Sequence, residues 1–206
     1  MKNLVILSVM CMILCTTGCA QNIKLPAPHK EGGKPLMQAL NERQTHRDFS
    51  SKQLSDQQLA DLLWAAVGVN RPDGKRTAPT ARNCQQIEVY VFMEKGVYLY
   101  DAKENMLKLM VNGDKRKIVA MQPFPAEAPV LLVMVANYDK MKDMDMEHKE
   151  FYGATDCGNV CQNIYLYCAS EGLHTVSLGS IYRDKIKDLL KFNGKAILAH
   201  PVGFGK

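Results

Sequence analysis

The chain has no G-x-S-x-G elbow, no H-E-x-x-H, no Walker A loop and no G-x-G-x-x-G turn. Those absences remove the usual serine-hydrolase, zinc-peptidase, P-loop and dinucleotide-fold signatures. It has no long block of one charge: 26 Lys and Arg are scattered among 21 Asp and Glu for a formal +5, which favours anionic small molecules over nucleic acid. Its apolar run Leu4 to Leu14 is shorter than the roughly 20 residues a bilayer span needs, which argues against an uncleaved membrane anchor. No internal repeat is present, so a solenoid is excluded. Of seven cysteines, Cys11 and Cys15 fall in that N-terminal run and Cys19 follows it. The remaining Cys84, Cys157, Cys161 and Cys168 are too few for a disulfide framework.

What is present fits one globular domain, with 206 residues, 47% of them hydrophobic and 23% charged. Met1-Lys2-Asn3 and the apolar run have the layout of a secretory signal over 1–18. Thr16-Thr17-Gly18-Cys19 resembles the lipobox of bacterial lipoproteins, with Cys19 as the lipidated residue and Thr16 where a large aliphatic is usual. That pattern implies a lipid-anchored protein of the cell envelope facing the periplasm. Residues 19–34 carry Pro26, Pro28, Gly32 and Gly33 and read as a flexible tether. The folded domain is expected over 35–206.

Ser55 and Gln58 form a capping box ahead of Leu59, Leu62, Leu63, Ala66 and Val67, which predicts a helix stopped at Gly68. Ile87, Val89 and Val91 alternate with Glu88, Tyr90 and Phe92, predicting a strand, a turn at Glu94-Lys95-Gly96 and a second strand to Asp101. Met106 to Val111 predicts a third. Pro129 to Ala136, apolar on both faces, predicts a central strand. A helix from Gly158 to a Gly172 cap, a strand or loop over 174–179, a helix over 183–192 and a strand over 196–199 follow. The class is α+β with a mixed, mainly antiparallel sheet flanked by helices.

Four stretches could carry chemistry. Arg43, Gln44, Thr45 and Arg47 supply guanidinium, amide and hydroxyl donors suited to a phosphate. Pro79, Thr80, Asn83 and Gln85 lie between a helix and a strand, where the two amides could read a heterocyclic edge or merely cap a turn. His174 to Ser180 is a tight small-residue segment, and Pro201 to Lys206 is a glycine-bearing tail ending in a cation. Cys157 and Cys161 lack metal-ligand spacing and read as packed thiols, so no metal site is expected. Asp114 and Arg116 read as a local ion pair.

Together RQTHRDF (43–49), LLWAAVGVNRPDGKRTAPTARNCQ (62–85), GVYLYD (96–101), NGDKR (112–116), APVLLVMVA (128–136), CQNIYLYCASEGL (161–173) and HPVGFGK (200–206) resemble the nitroreductase-like FMN-dependent oxidoreductases. Within them the azoline (thiazole/oxazole) dehydrogenase branch is the nearest likeness. The resemblance implies a nitroreductase-like fold, FMN as cofactor, NAD(P)H as donor, a nitroaromatic or quinone-like acceptor and a homodimer with flavin at its interface. It also implies roles. Arg43, Thr45 and Arg47 would hold the FMN phosphate with Lys206 as a further cation. Gln44 and Thr45 stand where the family usually has Arg-Ser. Pro79, Thr80, Asn83 and Gln85 would line the flavin, often from the partner subunit, and Leu178 and Gly179 would offer backbone amides to N5 and O4. The chemistry would be centred on the flavin, with no catalytic side chain required. Azoline oxidation, or a non-catalytic flavin-binding lipoprotein, are the alternatives.

Overall fold

The computed structural model describes residues 21–206, so Cys19 and the expected signal lie outside the described residues. Seven strands form one sheet in the order β1-β4-β3-β2-β5-β7-β6. They are β1 (Ile23–Lys24), β2 (Ile87–Met93), β3 (Gly96–Asp101), β4 (Met106–Asn112), β5 (Val130–Asn137), β6 (His174–Thr175) and β7 (Gly194–Gly203). Every pairing between them is antiparallel. The α+β class holds, and the mixed component expected of the sheet is replaced by antiparallel neighbours throughout. The helices are α1 (Leu36–Glu42), α2 (Asp56–Val67), α3 (Met146–Glu171) and α4 (Arg183–Leu190).

β5 lies at the centre because its alternate residues feed two cores. Val130, Leu132, Met134 and Ala136 join the core under α2 and α3. Leu131, Val133 and Val135 join the core under α4. Seven consecutive apolar residues buried on both sides are what a doubly covered strand demands. The helix α2 starts as its sequence dictates: Gln58 donates its backbone N–H to Ser55 Oγ at 3.1 Å, and Ser55 donates its own to Gln58 Oε1 at 3.0 Å. It ends at Gly68 in extended backbone.

Three expectations change. α3 begins at Met146 rather than near Gly158, because Asp145 caps it, accepting from the His148 N–H at 2.8 Å. α1, unanticipated, follows Pro35 directly. Residues 21–34 are also no tether. Ile23 and Lys24 pair with Leu107 and Met106, Leu25 is buried, and Asp61 Oδ1 accepts the His29 backbone N–H at 2.7 Å. Lys34 then donates its N–H to Ser170 Oγ at 2.8 Å. Few apolar groups are needed where backbone donors find partners this regularly. No helix among the described residues is long and apolar enough to cross a membrane.

Candidate functional site

After α1 the chain runs extended along residues 174–177, with His46 donating its N–H to the Thr175 carbonyl at 3.0 Å. Side chains therefore alternate between two sides. On one side Tyr165, from α3, is the hub. Its hydroxyl lies 3.1 Å from Thr45 Oγ1 and accepts the Ser177 N–H at 2.8 Å, while the Arg43 guanidinium sits over its ring, 5.2 Å from the centroid. Arg47 is exposed and meets no acid among the described residues. Gln44 is likewise exposed and lines a neighbouring cavity with His46 and His174. The structure thus gathers Arg43, Thr45 and Ser177 on one aromatic ring.

Beneath that hub the His200 ring meets Tyr165 edge-on at 5.1 Å. His200 is fully buried, its Nδ1 bonded to Thr175 Oγ1 at 3.1 Å and its Nε2 without a hydrogen bond. Cys161 lies beneath it, 3.8 Å from the Cys157 sulfur. The Cys157 sulfur contact pulls the Cys161 thiol down, and the same contact pushes Cys157 up. Both thiols are buried and free.

Residues 177–180 differ from the expectation in one respect. The Leu178 N–H is spent on the Ala199 carbonyl at 2.8 Å, and its side chain is buried. Leu178 therefore offers no amide. Gly179 and Ser180 are exposed residues, and neither N–H has a partner among the described residues, so the available donor pair is shifted one residue along. Lys206 differs too. Its ammonium is 2.9 Å from Glu127 Oε2, which raises its pKa, and its backbone N–H donates to Asp48 Oδ2 at 3.3 Å. The C-terminal cation is committed to an acid rather than to the Tyr165 hub.

The 79–85 turn forms a second, separate group. Ala81 donates its N–H to Asp156 Oδ2 at 2.8 Å, and the same oxygen accepts from Gln86 Nε2 at 2.6 Å. Asn159 Nδ2 donates to the Pro79 carbonyl at 3.4 Å. Thr80 Oγ1 accepts the Gln85 N–H at 3.0 Å, and Gln85 Nε2 reaches Asn83 Oδ1 at 3.2 Å. Arg82, Asn83 and Gln85 all have positive φ, at 51°, 54° and 49°. Three non-glycine residues in that region within four positions are costly and persist only because the surrounding bonds fix the turn. Its anchor, Asp156, lies nine residues before Tyr165 on α3, roughly 13 Å along the helix at ~1.5 Å per residue.

Sequence reasoning gave no site role to Tyr165, Asp156, His46 or Asp48, and named His174 only as the start of the 174–180 segment. His46 and His174 stack at 3.8 Å with 7° between their planes. With Asp48 they bring three potential ligand atoms within 4.8 Å of one another. Desolvation, then His174, lowers the pKa of His46. The Lys206 N–H lowers that of Asp48.

The nitroreductase family model matches residues 40–204. The chain belongs to the nitroreductase family. A nitroreductase-like protein of Methanocaldococcus jannaschii is 32% identical over 178 residues, which is 82% of this chain and 90% of that protein. The crystal structure of a nitroreductase-like protein of Ralstonia eutropha JMP134 superposes with a TM-score of 0.84 at 35% identity, covering 92% of this chain and 91% of that one. A Staphylococcus epidermidis protein designated an NAD(P)H:FMN oxidoreductase shares the fold at a TM-score of 0.63 and 12% identity, over 87% and 91% of the two chains. The nitroreductase fold of this chain is thereby established.

Proposed function

We propose that this family member is an FMN-dependent oxidoreductase that takes hydride from NAD(P)H and delivers electrons to a small oxidised acceptor of nitroaromatic or quinone type. One observation carries the reading: Arg43 and Thr45 meet at Tyr165, which also binds the Ser177 N–H, and the unspent amides of Gly179 and Ser180 lie two and three residues further along the same segment. The donor set fits a phosphate-bearing flavin. Arg43, Arg47 and the Thr45 hydroxyl would hold the phosphate by charge-assisted bonds. Gly179 and Ser180 would direct N–H groups at the electron-accepting edge of the ring, favouring the form that carries added negative charge. The flavin, when bound, supplies the hydride and electron chemistry itself.

The second group, Pro79, Thr80, Asn83 and Gln85, is set apart from this cradle in the same chain. We place it against the flavin of a second copy, so that a homodimer completes two sites. Helix α1, whose far end Arg43 caps, presents Leu36 and Met37 at 63% and 75% exposure, an apolar surface suited to such a contact. Lipidation at Cys19 would hold the protein at the cell envelope, facing the periplasm. Mass spectrometry of the N-terminal peptide tests that attachment.

The decisive experiment loads the purified protein with FMN, desalts it and adds NADH or NADPH anaerobically. Retained flavin that bleaches, and recovers on adding menadione or a nitroaromatic, supports the proposal; loss of all flavin on desalting overturns it. Retained flavin that neither nicotinamide reduces, but that an azoline substrate bleaches, moves the protein to the azoline dehydrogenase reading. Retained flavin that nothing reduces leaves a flavin-binding lipoprotein.

A further inference from the structure

The extended stretch 43–48 has a second side. Arg43 and Thr45 turn to Tyr165, whereas His46 turns the other way and lies face to face on His174. Asp48 falls in the same register as His46, and its Oδ1 is 3.4 Å from His174 Nδ1. The flavin reading uses none of these three side chains.

We propose that His46, Asp48 and His174 form a binding site for one divalent transition-metal ion, of the zinc, cobalt or nickel class, behind the phosphate cradle. Two imidazoles and a carboxylate are the mixed nitrogen and oxygen set that such ions take, with remaining positions left to water. The outer shell is in place. His174 Nδ1 is 3.0 Å from the Asp48 carbonyl, so a proton donated there leaves Nε2 with its lone pair, the arrangement that orients metal-bound histidines. Asp48 is oriented by the Lys206 N–H. Gly205 completes the frame, because any Cβ at that position would collide with the His174 ring.

The surroundings also favour a cation. Both rings line a cavity of about 400 Å³ together with Ala169, Gly172 and Leu173, the C-terminal end of α3, where the helix dipole is negative. Three nearby cations are engaged elsewhere, Lys34 with Glu42 at 2.6 Å, Lys206 with Glu127 and Arg43 with Tyr165, whereas Arg47 of the same stretch is exposed and meets no acid among the described residues. Ligands at ~2.0–2.2 Å in tetrahedral array stand roughly 3.3–3.6 Å apart. In the stack the in-plane lone pairs of the two rings run parallel, so ion binding requires the half-exposed His46 to swing out and turn its ring towards Asp48 and His174. A bound ion would tie the 43–48 stretch to His174 and, through Asp48, to the C-terminal tail, and so stiffen the phosphate cradle on its far side.

Cobalt titration of the chelator-treated full-length protein tests this. The expected result is one Co²⁺ per chain with a visible ligand-field band, displaced by Zn²⁺. His46→Phe keeps an aromatic ring on His174 and removes only the donor, so it should weaken binding about 10-fold or more with an unchanged thermal midpoint. His174→Ala should do the same, and His148→Ala, at the other end of α3, should leave binding intact. No cobalt binding by the wild-type protein overturns the proposal, as does binding that His46→Phe leaves unaltered. FMN retention by the same samples is read separately, so failure of the metal site and failure of the flavin reading are distinguishable.

Discussion

The two polar stretches that flank the candidate flavin site are built in opposite ways. Residues 43–48 are held from a distance: Thr45 meets Tyr165 across 120 positions and Asp48 meets His174 across 126. Residues 79–85 hold themselves, through Thr80 to Gln85, Asn83 to Gln85 and three residues of positive φ, with long-range anchors from Asp156 and Asn159 on α3. A stretch assembled by tertiary contacts can respond to what binds elsewhere in the fold. A stretch assembled by local bonds is a pre-set shape that can be presented to another molecule, as the dimer reading requires.

Four substitutions break or sharpen this contrast. Arg43→Ala should have the largest effect, raising the FMN dissociation constant about 10- to 150-fold for a lost charge-assisted bond of ~1.5–3 kcal/mol. Riboflavin, which lacks the phosphate, should be nearly unaffected, and equal losses for both ligands in fluorescence titration would contradict the assignment. Asp156→Ala should destabilise the fold by about 1–3 kcal/mol in urea melts by stranding the Ala81 N–H and the buried Gln86 amide. FMN reduction should suffer more than phosphate binding, since only the locally built turn is released.

Tyr165→Phe should cost about 1 kcal/mol by stranding the Ser177 N–H, and should loosen FMN several-fold because Thr45 loses its partner. If that variant binds FMN unchanged, Tyr165 is not the hub. The smallest effect belongs to a purely local pair. Arg116 Nη2 is 2.6 Å from Asp114 Oδ2, and its hydrogen bond holds the Asp114 carboxyl below its ordinary range. Its stabilisation is therefore present above the unfolded pKa, near ~3.9, and is lost as pH falls through the lower folded value. Asp114→Asn should flatten that acid limb of the thermal midpoint with little change in FMN binding.

The same contrast explains what was readable. β5 and α2 were legible because PVLLVMVA and the Ser55–Gln58 box express burial and capping locally. The first half of α3 was not, because residues 146–157 are largely polar and bury only Gly153, Asp156 and Cys157. β1 and β6, two residues each, exist by virtue of their partners. In the site, Arg43, Thr45 and Asn83 announce themselves as donors. Tyr165 reads only as a packing tyrosine, and the loss of the Leu178 amide depends on a bridge to Ala199 that no spacing reveals. Asp114 and Arg116, two residues apart, were expected as an ion pair and form one.

The docking of residues 21–34 changes how an anchored protein would sit. A free tether of that length could reach some 50 Å from its anchor at ~3.3–3.6 Å per residue. With Ile23 already in the sheet, His29 on Asp61 and Lys34 on Ser170, a lipid on Cys19 would leave only a few residues of slack, about 10 Å. The edge of the sheet at β1 and β4 would then face the bilayer at close range. The cradle at 43–48 and 174–180 stands beside β6, at the opposite edge of the sheet, about 29 Å away at ~4.8 Å per strand. It would be held off the bilayer, and an acceptor in free solution would be within easier reach than one in the lipid headgroup layer.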